Sequence, residues 1–405
     1  MKRITVLILL MVLPTIYARA ADKFDKLMKA GKAEFQKDFY HQDYSAAVRN
    51  FEKAVKLRPK DPEAHYFLGV AYSRLNSKDG ETMMNVGLPL TLKGSKELET
   101  VIKLSPKYSG EAIIQDPYGK LSSDWGSLAL AYFYNNKPDS AAWAFKEGRM
   151  RGGYSDFTLA VNRKVLDQCG KNSILVSCGD AYSFPLWYLQ TVEGYRTDVT
   201  VVDANLLNTF WYPRLLLREG KVKFDLPAAE IEKIDYCLWR DSVVSIGDFS
   251  WLVKASLDLK YLLRGDRLLI SMLRANNFQR QVYFTAEFPL AQTVSLNNYI
   301  TSIGLVNRLD VNTQAPQDYE SYKKEIADIL PTLQKINQNN VQDLNFVDVI
   351  RCDILLKLAN LVDSNQNREA KELLSLMDKY IDAGKYPYRE IEWQELADDL
   401  RGRLQ

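Results

Sequence analysis

Histidine is scarce in this sequence: a chain of 405 residues contains two, His41 and His65, and both lie near its beginning. The later regions therefore hold no Ser-His-Asp triad, no Cys-His pair and no cluster of histidine and cysteine ligands for a metal. No glycine-rich phosphate loop follows a predicted strand, so nothing indicates nucleotide binding. We accordingly predict no catalytic residue, no metal site and no cofactor.

An excess of charge of one sign is also lacking. Lysine and arginine number 53 against 51 aspartates and glutamates, which gives a formal net charge of +2, and the two signs alternate along the chain. Proteins that bind nucleic acid carry a basic patch or stripe that neutralises phosphates. The sequence therefore predicts no nucleic-acid partner.

Cysteine is sparse and has no C-x-x-C spacing, which argues against a zinc cluster and against a disulfide framework. The four cysteines are Cys169, Cys178, Cys237 and Cys352. Cys169 and Cys178 flank a predicted strand and could form a bridge. The alternative is that all four are isolated thiols, mostly buried.

No apolar run after residue 20 is long enough to cross a bilayer. Residues 1–20 combine Lys2 and Arg3 with a short apolar stretch and a small-x-small triplet that ends at Ala20, which is typical of a secretory signal peptide. We expect cleavage before Ala21, a periplasmic location and no membrane span in the mature chain. An uncleaved anchor is the alternative, but the stretch is shorter than the roughly 20 residues that a spanning helix needs.

Residues 21–152 contain a recurring pattern of small and large residues. Ala47, Phe51, Ala54 and Pro59 set the spacing. The same spacing returns in two further sets: Gly94, Leu98, Val101 and Pro106, and then Ala141, Phe145 and Gly148. Small residues let the two helices of a hairpin approach closely, while large residues fill the space between neighbouring hairpins. The pattern predicts three stacked helical hairpins.

A second pattern marks the first helix of the later hairpins. Its residues are Leu68, Gly69 and Tyr72 in one unit and Trp125, Leu128, Ala129 and Tyr132 in the next. This region resembles the tetratricopeptide repeat, which implies a concave groove for a peptide or protein partner. Because the units are spaced more widely than the usual period of about 34 residues, we expect insertions, one of them between Asn76 and Pro89. An ordinary helical bundle is the alternative, and His65 is expected to be structural in either case.

Residues 153–313 are predicted to form an α/β domain. Apolar runs at Ile174–Ser177 and 198–202 indicate two buried parallel strands, and the helix between them has Ser183 as its N-cap and Pro185 in its first turn. Val243 to Ile246 and residues 281–286 are further candidate strands. The pattern favours a doubly wound sheet, which binds ligands at the carboxyl ends of its strands.

Asp180 and Asp203 follow the first two strands, so both are expected at that edge. The candidate ligand-binding residues there are Gly179, Asp180, Asp203, Asn205, Asn208, Trp211 and Tyr212. The two aspartates form the one carboxylate pair that could serve glycosyl chemistry. The structural alternative makes Asp180 a turn former and Asp203 a helix N-cap.

The strings from Ile174 to Tyr212 and from Asn276 to Arg308 resemble one known family. It is the soluble C-terminal region of the protein O-mannosyltransferase-like membrane proteins of Bacteroidetes. The resemblance implies an α/β fold and a bacterial lineage, but no transferase activity, because that activity is attributed to a multi-spanning region absent here. This chain also reads Cys178-Gly179-Asp180 followed by Ala-Tyr-Ser, where the family tends to read Asn-Gly-Asp-Asn-Asp-Thr.

Residues 314–405 show helical periodicity, for example at Tyr322, Ile326 and Ile329, and are predicted to form C-terminal helices. The whole chain is thus expected to combine an all-α part with an α/β part. We expect an exported scaffold or assembly factor of the bacterial cell envelope that binds a protein through its repeats. The alternative is a carbohydrate-binding or glycan-processing enzyme, with a glycan or glycoprotein as partner and its site at the sheet edge.

Overall fold

The computed structural model describes residues 21–255, 260–286, 288–289, 292–311 and 318–405. The expected signal peptide, residues 1–20, lies outside the described residues, as does the expected boundary between residues 313 and 314. Within the described part of the chain, no helix is both long and apolar enough to cross a membrane.

The N-terminal region consists of antiparallel helix pairs followed by a seventh helix. These helices are α1 (21–36), α2 (Tyr44–Leu57), α3 (Pro62–Asn76), α4 (Leu88–Leu104), α5 (Pro117–Tyr134), α6 (Pro138–Met150) and α7 (Asp156–Gln168). Asp61 and Asp116 accept hydrogen bonds from backbone amides in the first turns of α3 and α5, each ahead of a proline at the first helical position. The expected insertion is the connection 77–87 between α3 and α4.

Small residues let these helices approach closely, as the spacing predicted. A Cβ added to Gly69 would lie 2.9 Å from Cγ of Leu98 and 3.3 Å from the carbonyl of Gly94. Ala47, Phe51 and Ala141 have no exposed surface. The predicted hairpin register is therefore confirmed.

His65 on α3 has the structural role expected of it. Its Nδ1 lies 2.5 Å from a carboxylate oxygen of Glu97, and its Nε2 lies 3.0 Å from the carbonyl of Pro59. Burial lowers the pKa of His65, but the contacts with Glu97 and Pro59 outweigh burial, so the pKa is raised above its ordinary value. The ring therefore ties α3 to α4.

The middle region is built on a five-stranded sheet. Its strands are β1 (Ile174–Ser177), β2 (Thr200–Asp203), β7 (Val282–Thr285), β8 (Ile300–Ser302) and β9 (Val306–Leu309), in the order β2-β1-β7-β9-β8. β1 runs parallel to both of its neighbours, whereas β9 is antiparallel to β7 and to β8. The predicted class, α/β together with all-α, is confirmed, and the sheet is mixed because its last two strands form a hairpin.

The helices of this region are α8 (Asp180–Glu193), α9 (Trp211–Arg218), α10 (Ala228–Ile231) and α11 (Arg264–Asn276). Among the described residues, four strands lie outside the main sheet: β3 (Cys237–Leu238), β4 (Ser242–Ile246), β5 (Phe249–Val253) and β6 (Tyr261–Leu262). The predicted strand from Val243 to Ile246 belongs to β4, which pairs with β5 as a separate hairpin. The predicted strand at 281–286 is β7 of the main sheet.

The start of α8 corrects the sequence prediction. The helix begins at Asp180, with Gly179 as its N-cap, so Ser183 is not the cap and Pro185 lies inside the helix. A proline there leaves the carbonyl four residues earlier without its amide partner. That carbonyl, of Ala181, instead accepts a hydrogen bond of 2.8 Å from Nε2 of Gln342.

The C-terminal helices are α12 (Tyr319–Ile329), α13 (Val341–Asp363), α14 (Asn367–Tyr380) and α15 (Ile391–Leu404). The first turn of α13 docks on α7, where the buried carboxylate of Asp343 accepts hydrogen bonds from the hydroxyls of Ser155 and Thr158 at 2.5 and 2.7 Å. All four cysteines of the chain are free thiols, so no bridge joins Cys169 to Cys178.

Candidate ligand site between the repeats and the sheet

A cavity of about 350 Å³ lies where the carboxyl edge of the sheet faces the helical repeats. Three parts of the chain line it: the helices α3, α4 and α5 together with residues 114–115 before α5, the connection 77–87, and the segments that follow β1 and β2. The connection reaches the α/β domain directly, because Nε1 of Trp211 donates a hydrogen bond of 2.8 Å to the carbonyl of Gly80. The predicted insertion of the repeats therefore forms one wall of the cavity.

Asp180 lines the cavity from the start of α8. Gly179 precedes it with φ = +83°, a conformation that side chains disfavour, and this turn places Asp180 in the first turn of the helix. A carboxylate is stabilised there by the helix dipole. Its Oδ2 accepts hydrogen bonds from the Ser123 hydroxyl at 2.5 Å and from the Gln115 amide at 3.5 Å, so it faces the repeats.

Lys120 and Asp124 line the cavity from α5, one turn apart. Each is only 7% exposed, and the Lys120 ammonium donates to Oδ1 of Asp124 at 2.6 Å. The Ser73 hydroxyl donates to the same oxygen, also at 2.6 Å. Oδ2 of Asp124 has no hydrogen-bond partner among the described residues. A buried ion pair whose carboxylate keeps an unpaired oxygen lowers the stability of the folded protein, so it is not explained by folding alone.

Asp203 lies behind the cavity wall and is 3% exposed. It accepts hydrogen bonds from the amide of Gly179 at 3.1 Å, the hydroxyl of Ser183 at 2.5 Å and the amide of Leu206 at 2.9 Å. Burial raises the pKa of Asp203 to about 6, although these three donors oppose the rise. The side chain thus joins β2, the start of α8 and the next turn.

The structure brings together some of the predicted site residues and separates the others. Asp180 and Asn205 line the cavity. Gly179, Asp203 and Tyr212 form a network behind it, in which the Tyr212 hydroxyl accepts from the amide of Asp203 at 3.1 Å. The remaining two face neighbouring segments, because Oδ1 of Asn208 accepts from the amide of Gly265 and Trp211 binds Gly80.

The sequence-based prediction missed the wall that the repeats contribute. Its polar members include Ser73, Arg74, Asp79, Lys120, Ser123 and Asp124. A signal was present, because Lys120 and Asp124 stand four residues apart in a helix whose other residues are largely core positions. Such a pair inside an otherwise buried helix indicates a polar site rather than a solvated face.

Nucleophilic chemistry by a thiol is disfavoured at this edge of the sheet. Cys178 directly follows β1, and burial raises its pKa to about 11, which disfavours the nucleophilic thiolate. Among the described residues, no group of histidine, cysteine, aspartate or glutamate side chains has the geometry of a metal site.

Two family models match this chain, one in the repeats and one in the α/β region. A model of the tetratricopeptide repeat matches residues 36–76, so the repeats have the class that their spacing predicted. A model described as TMEM260-associated domain 2 matches residues 158–237, from α7 to β3. Both predicted resemblances are thereby confirmed. No curated protein matches the chain.

Proposed function

We propose that this chain is an exported protein-binding scaffold or assembly factor of the bacterial cell envelope. The observation that carries the proposal is the tetratricopeptide repeat, whose stacked hairpins generally bind protein partners. The expected signal peptide at residues 1–20 and the resemblance of the α/β domain to a bacterial envelope family support the location. Cleavage would leave a chain that starts at Ala21, which intact-mass analysis of an envelope fraction measures directly.

The inner surface of the repeats is largely occupied by the chain itself. Gly126 on α5 packs against the ring of Phe184 on α8, since a Cβ at position 126 would lie 2.4 Å from Cγ of that ring. Farther along the groove, the Tyr66 hydroxyl donates to the carbonyl of Gln115 at 2.7 Å. A partner protein is therefore better accommodated on the outer side of the repeats than in the groove.

Helix α6 offers an apolar surface on that outer side. Trp143 and Met150 are two turns apart on one face and are 40% and 71% exposed. Asp139 and Lys146 lie on the same face and are exposed as well. Exposed tryptophan and methionine flanked by charges are typical of protein interfaces, so we assign partner binding to this face of α6.

A photo-activatable residue in place of Trp143 tests this assignment in intact cells. We expect one dominant cross-linked species that Met150→Asp weakens, because a charge there disrupts the apolar contact. The same label at Arg403, on an exposed face of α15, is the matched control. Equal cross-linking from both positions would mean that α6 is not a binding face.

The cavity supports a second candidate function, which is the binding of a small polar ligand. It corresponds to the envelope-glycan alternative, since Asp180 lines a polar cavity at the carboxyl edge of the sheet. Glycan processing by the predicted pair of aspartates is disfavoured, because Asp203 is buried behind the wall and the two aspartates do not both face the cavity.

Asp180→Asn distinguishes these functions. We expect cross-linking from position 143 to persist in this variant, while ligand affinity falls. If the chain processes a glycan with Asp180 as acid or base, the variant should instead lose about 10² to 10⁴ in rate while remaining folded. A matching melting curve is required for either conclusion.

A further inference from the structure

We propose that the cavity between the repeats and the sheet binds a small cationic ligand rich in hydroxyl groups, of the class of amino alcohols and amino sugars. This inference rests on the second candidate function, ligand binding in the cavity, and adds the chemistry of the ligand. It is independent of partner binding on α6.

The unpaired oxygen of Asp124 is the first argument. The side chain is 7% exposed, its Oδ1 is used by Lys120 and Ser73, and its Oδ2 has no partner among the described residues. A buried acceptor without a donor is unfavourable, and native structures contain few. Oδ2 itself is fully buried beside Gly94, so a ligand that donates a hydrogen bond to it removes this cost only when the carboxylate turns toward the cavity that Asp124 lines. An ammonium group is the strongest such donor, because both partners of the bond are then charged.

The balance of charge is the second argument. The lining residues include three acidic side chains, Asp79, Asp124 and Asp180, and two basic ones, Arg74 and Lys120, which gives a formal charge of −1. The ammonium of Lys120 is bound to Asp124, and Nη1 of Arg74 donates to the carbonyl of Lys78 at 2.9 Å. A cationic ligand neutralises the remaining charge, whereas an anionic ligand would add to it.

The size and lining of the cavity are the third argument. Its volume of about 350 Å³ is near the lower end for small-molecule sites. Polar groups such as Ser127 and Asn205 line it and can pair with hydroxyl groups, and the apolar side chains of Met83, Val86, Ile114 and Leu206 complete the lining. Among the described lining residues none is aromatic, so a flat base or ring would find no surface for stacking.

Calorimetric titration of the mature full chain tests the proposal with three probes that share one sugar ring and differ in charge: glucosamine, glucose and glucose 6-phosphate. We expect glucosamine to bind about tenfold more tightly than glucose, because an ionic hydrogen bond is stronger than a neutral one by roughly that factor. Glucose 6-phosphate is expected to bind more weakly than either. The titration is done at a pH where the amine is protonated.

Two variants locate the binding. Asp124→Asn should lower the affinity for glucosamine about tenfold and leave the affinity for glucose nearly unchanged. Because Asp124→Asn leaves Lys120 buried with a neutral partner, that variant can lose stability. Asp180→Asn is therefore tested as well: it removes a partly exposed carboxylate, and this loss should also weaken the preference for the amine. Asp139→Asn, on α6, removes the same charge at an exposed residue outside the lining and is the control.

The outcomes separate the two levels of the proposal. If glucose 6-phosphate or glucose binds more tightly than glucosamine, and this binding is lost in the Asp180→Asn variant, then the cationic class of ligand is overturned but ligand binding in the cavity is retained. Absence of binding by all three probes at millimolar concentration overturns both. An equal effect of Asp139→Asn on glucosamine binding shows attraction to the general surface charge and also overturns the site.

Discussion

The contact between Gly126 and Phe184 decides whether the groove of the repeats is free or filled. A Cβ at position 126 would lie 2.4 to 2.7 Å from three carbon atoms of the Phe184 ring, and that ring is 1% exposed, so it has little room to move. We therefore predict that Gly126→Ala destabilises the protein through overpacking, at a cost of about 1 to 3 kcal/mol.

The net effect of this change is smaller than its packing cost. Alanine is favoured over glycine inside a helix by about 1 kcal/mol, which partly offsets the clash. Gly402→Ala on α15 provides the control, because an added Cβ there meets nothing within 4 Å. The difference in unfolding free energy between the two variants should be about 1 to 3 kcal/mol, measured by urea denaturation followed through tryptophan fluorescence.

A double-mutant cycle identifies the partner ring. In a Phe184→Leu background the smaller side chain leaves space, so Gly126→Ala should cost less there than in the wild-type protein. If Gly126→Ala stabilises the protein as much as Gly402→Ala does, then Phe184 does not pack on α5. The inner surface of the repeats would then be open to a partner.

Three further outcomes are expected. Ala141→Trp should lower the melting temperature, because Ala141 has no exposed surface and overpacking there costs about 1 to 3 kcal/mol or more; an unchanged value would contradict the repeat register. The pKa of His65 in the folded protein is raised above 6.5, so protonated His65 stabilises the fold fully below pH 6.5, and this stabilisation is lost as the pH rises through the folded-state pKa. The difference in unfolding free energy between wild type and His65→Gln should therefore shrink toward alkaline pH. A difference that does not change with pH would refute protonation of His65. Gln342→Leu should lower the free energy of unfolding by about 1 to 3 kcal/mol, because it leaves the Ala181 carbonyl without a hydrogen-bond donor. The loss should be smaller in a Pro185→Ala background, where the amide of residue 185 can donate to that carbonyl. Equal losses in the two backgrounds would show that the unpaired carbonyl is not the cause.

The local patterns of the sequence were sufficient for the repeats and the first strands. The spacing of Ala47, Phe51 and Ala54 reports helix packing directly, because small and large residues must alternate wherever two helices cross closely. Strands β1 and β2 were recognised because buried parallel strands are continuous apolar runs. Both signals depend on neighbours in sequence, which is why they could be read without the structure.

The cavity depends on contacts between distant parts of the chain, and the sequence did not predict it. Asp180 was expected at the sheet edge, but its partner Ser123 lies on α5, and the pairing follows only from the docking of α8 on the repeats. Asp203 was expected beside Asp180 in a ligand site or, in the structural alternative, as a helix N-cap. It instead satisfies the amides and hydroxyl of the turns around β2, which no periodicity reveals.

The cavity is formed where the α/β domain docks on the repeats. The cavity has one wall from the repeats, with Lys120 and Asp124, and one from the sheet edge, with Asp180 and Asn205, so neither part offers the complete site alone. A ligand that binds only the docked arrangement stabilises it. When the ligand is in excess, the gain in unfolding free energy grows with the logarithm of the ratio of ligand concentration to dissociation constant. Saturation with such a ligand should therefore recover part of the stability lost in Gly126→Ala, a change in the same interface whose added Cβ lies against Phe184, a residue that does not line the cavity.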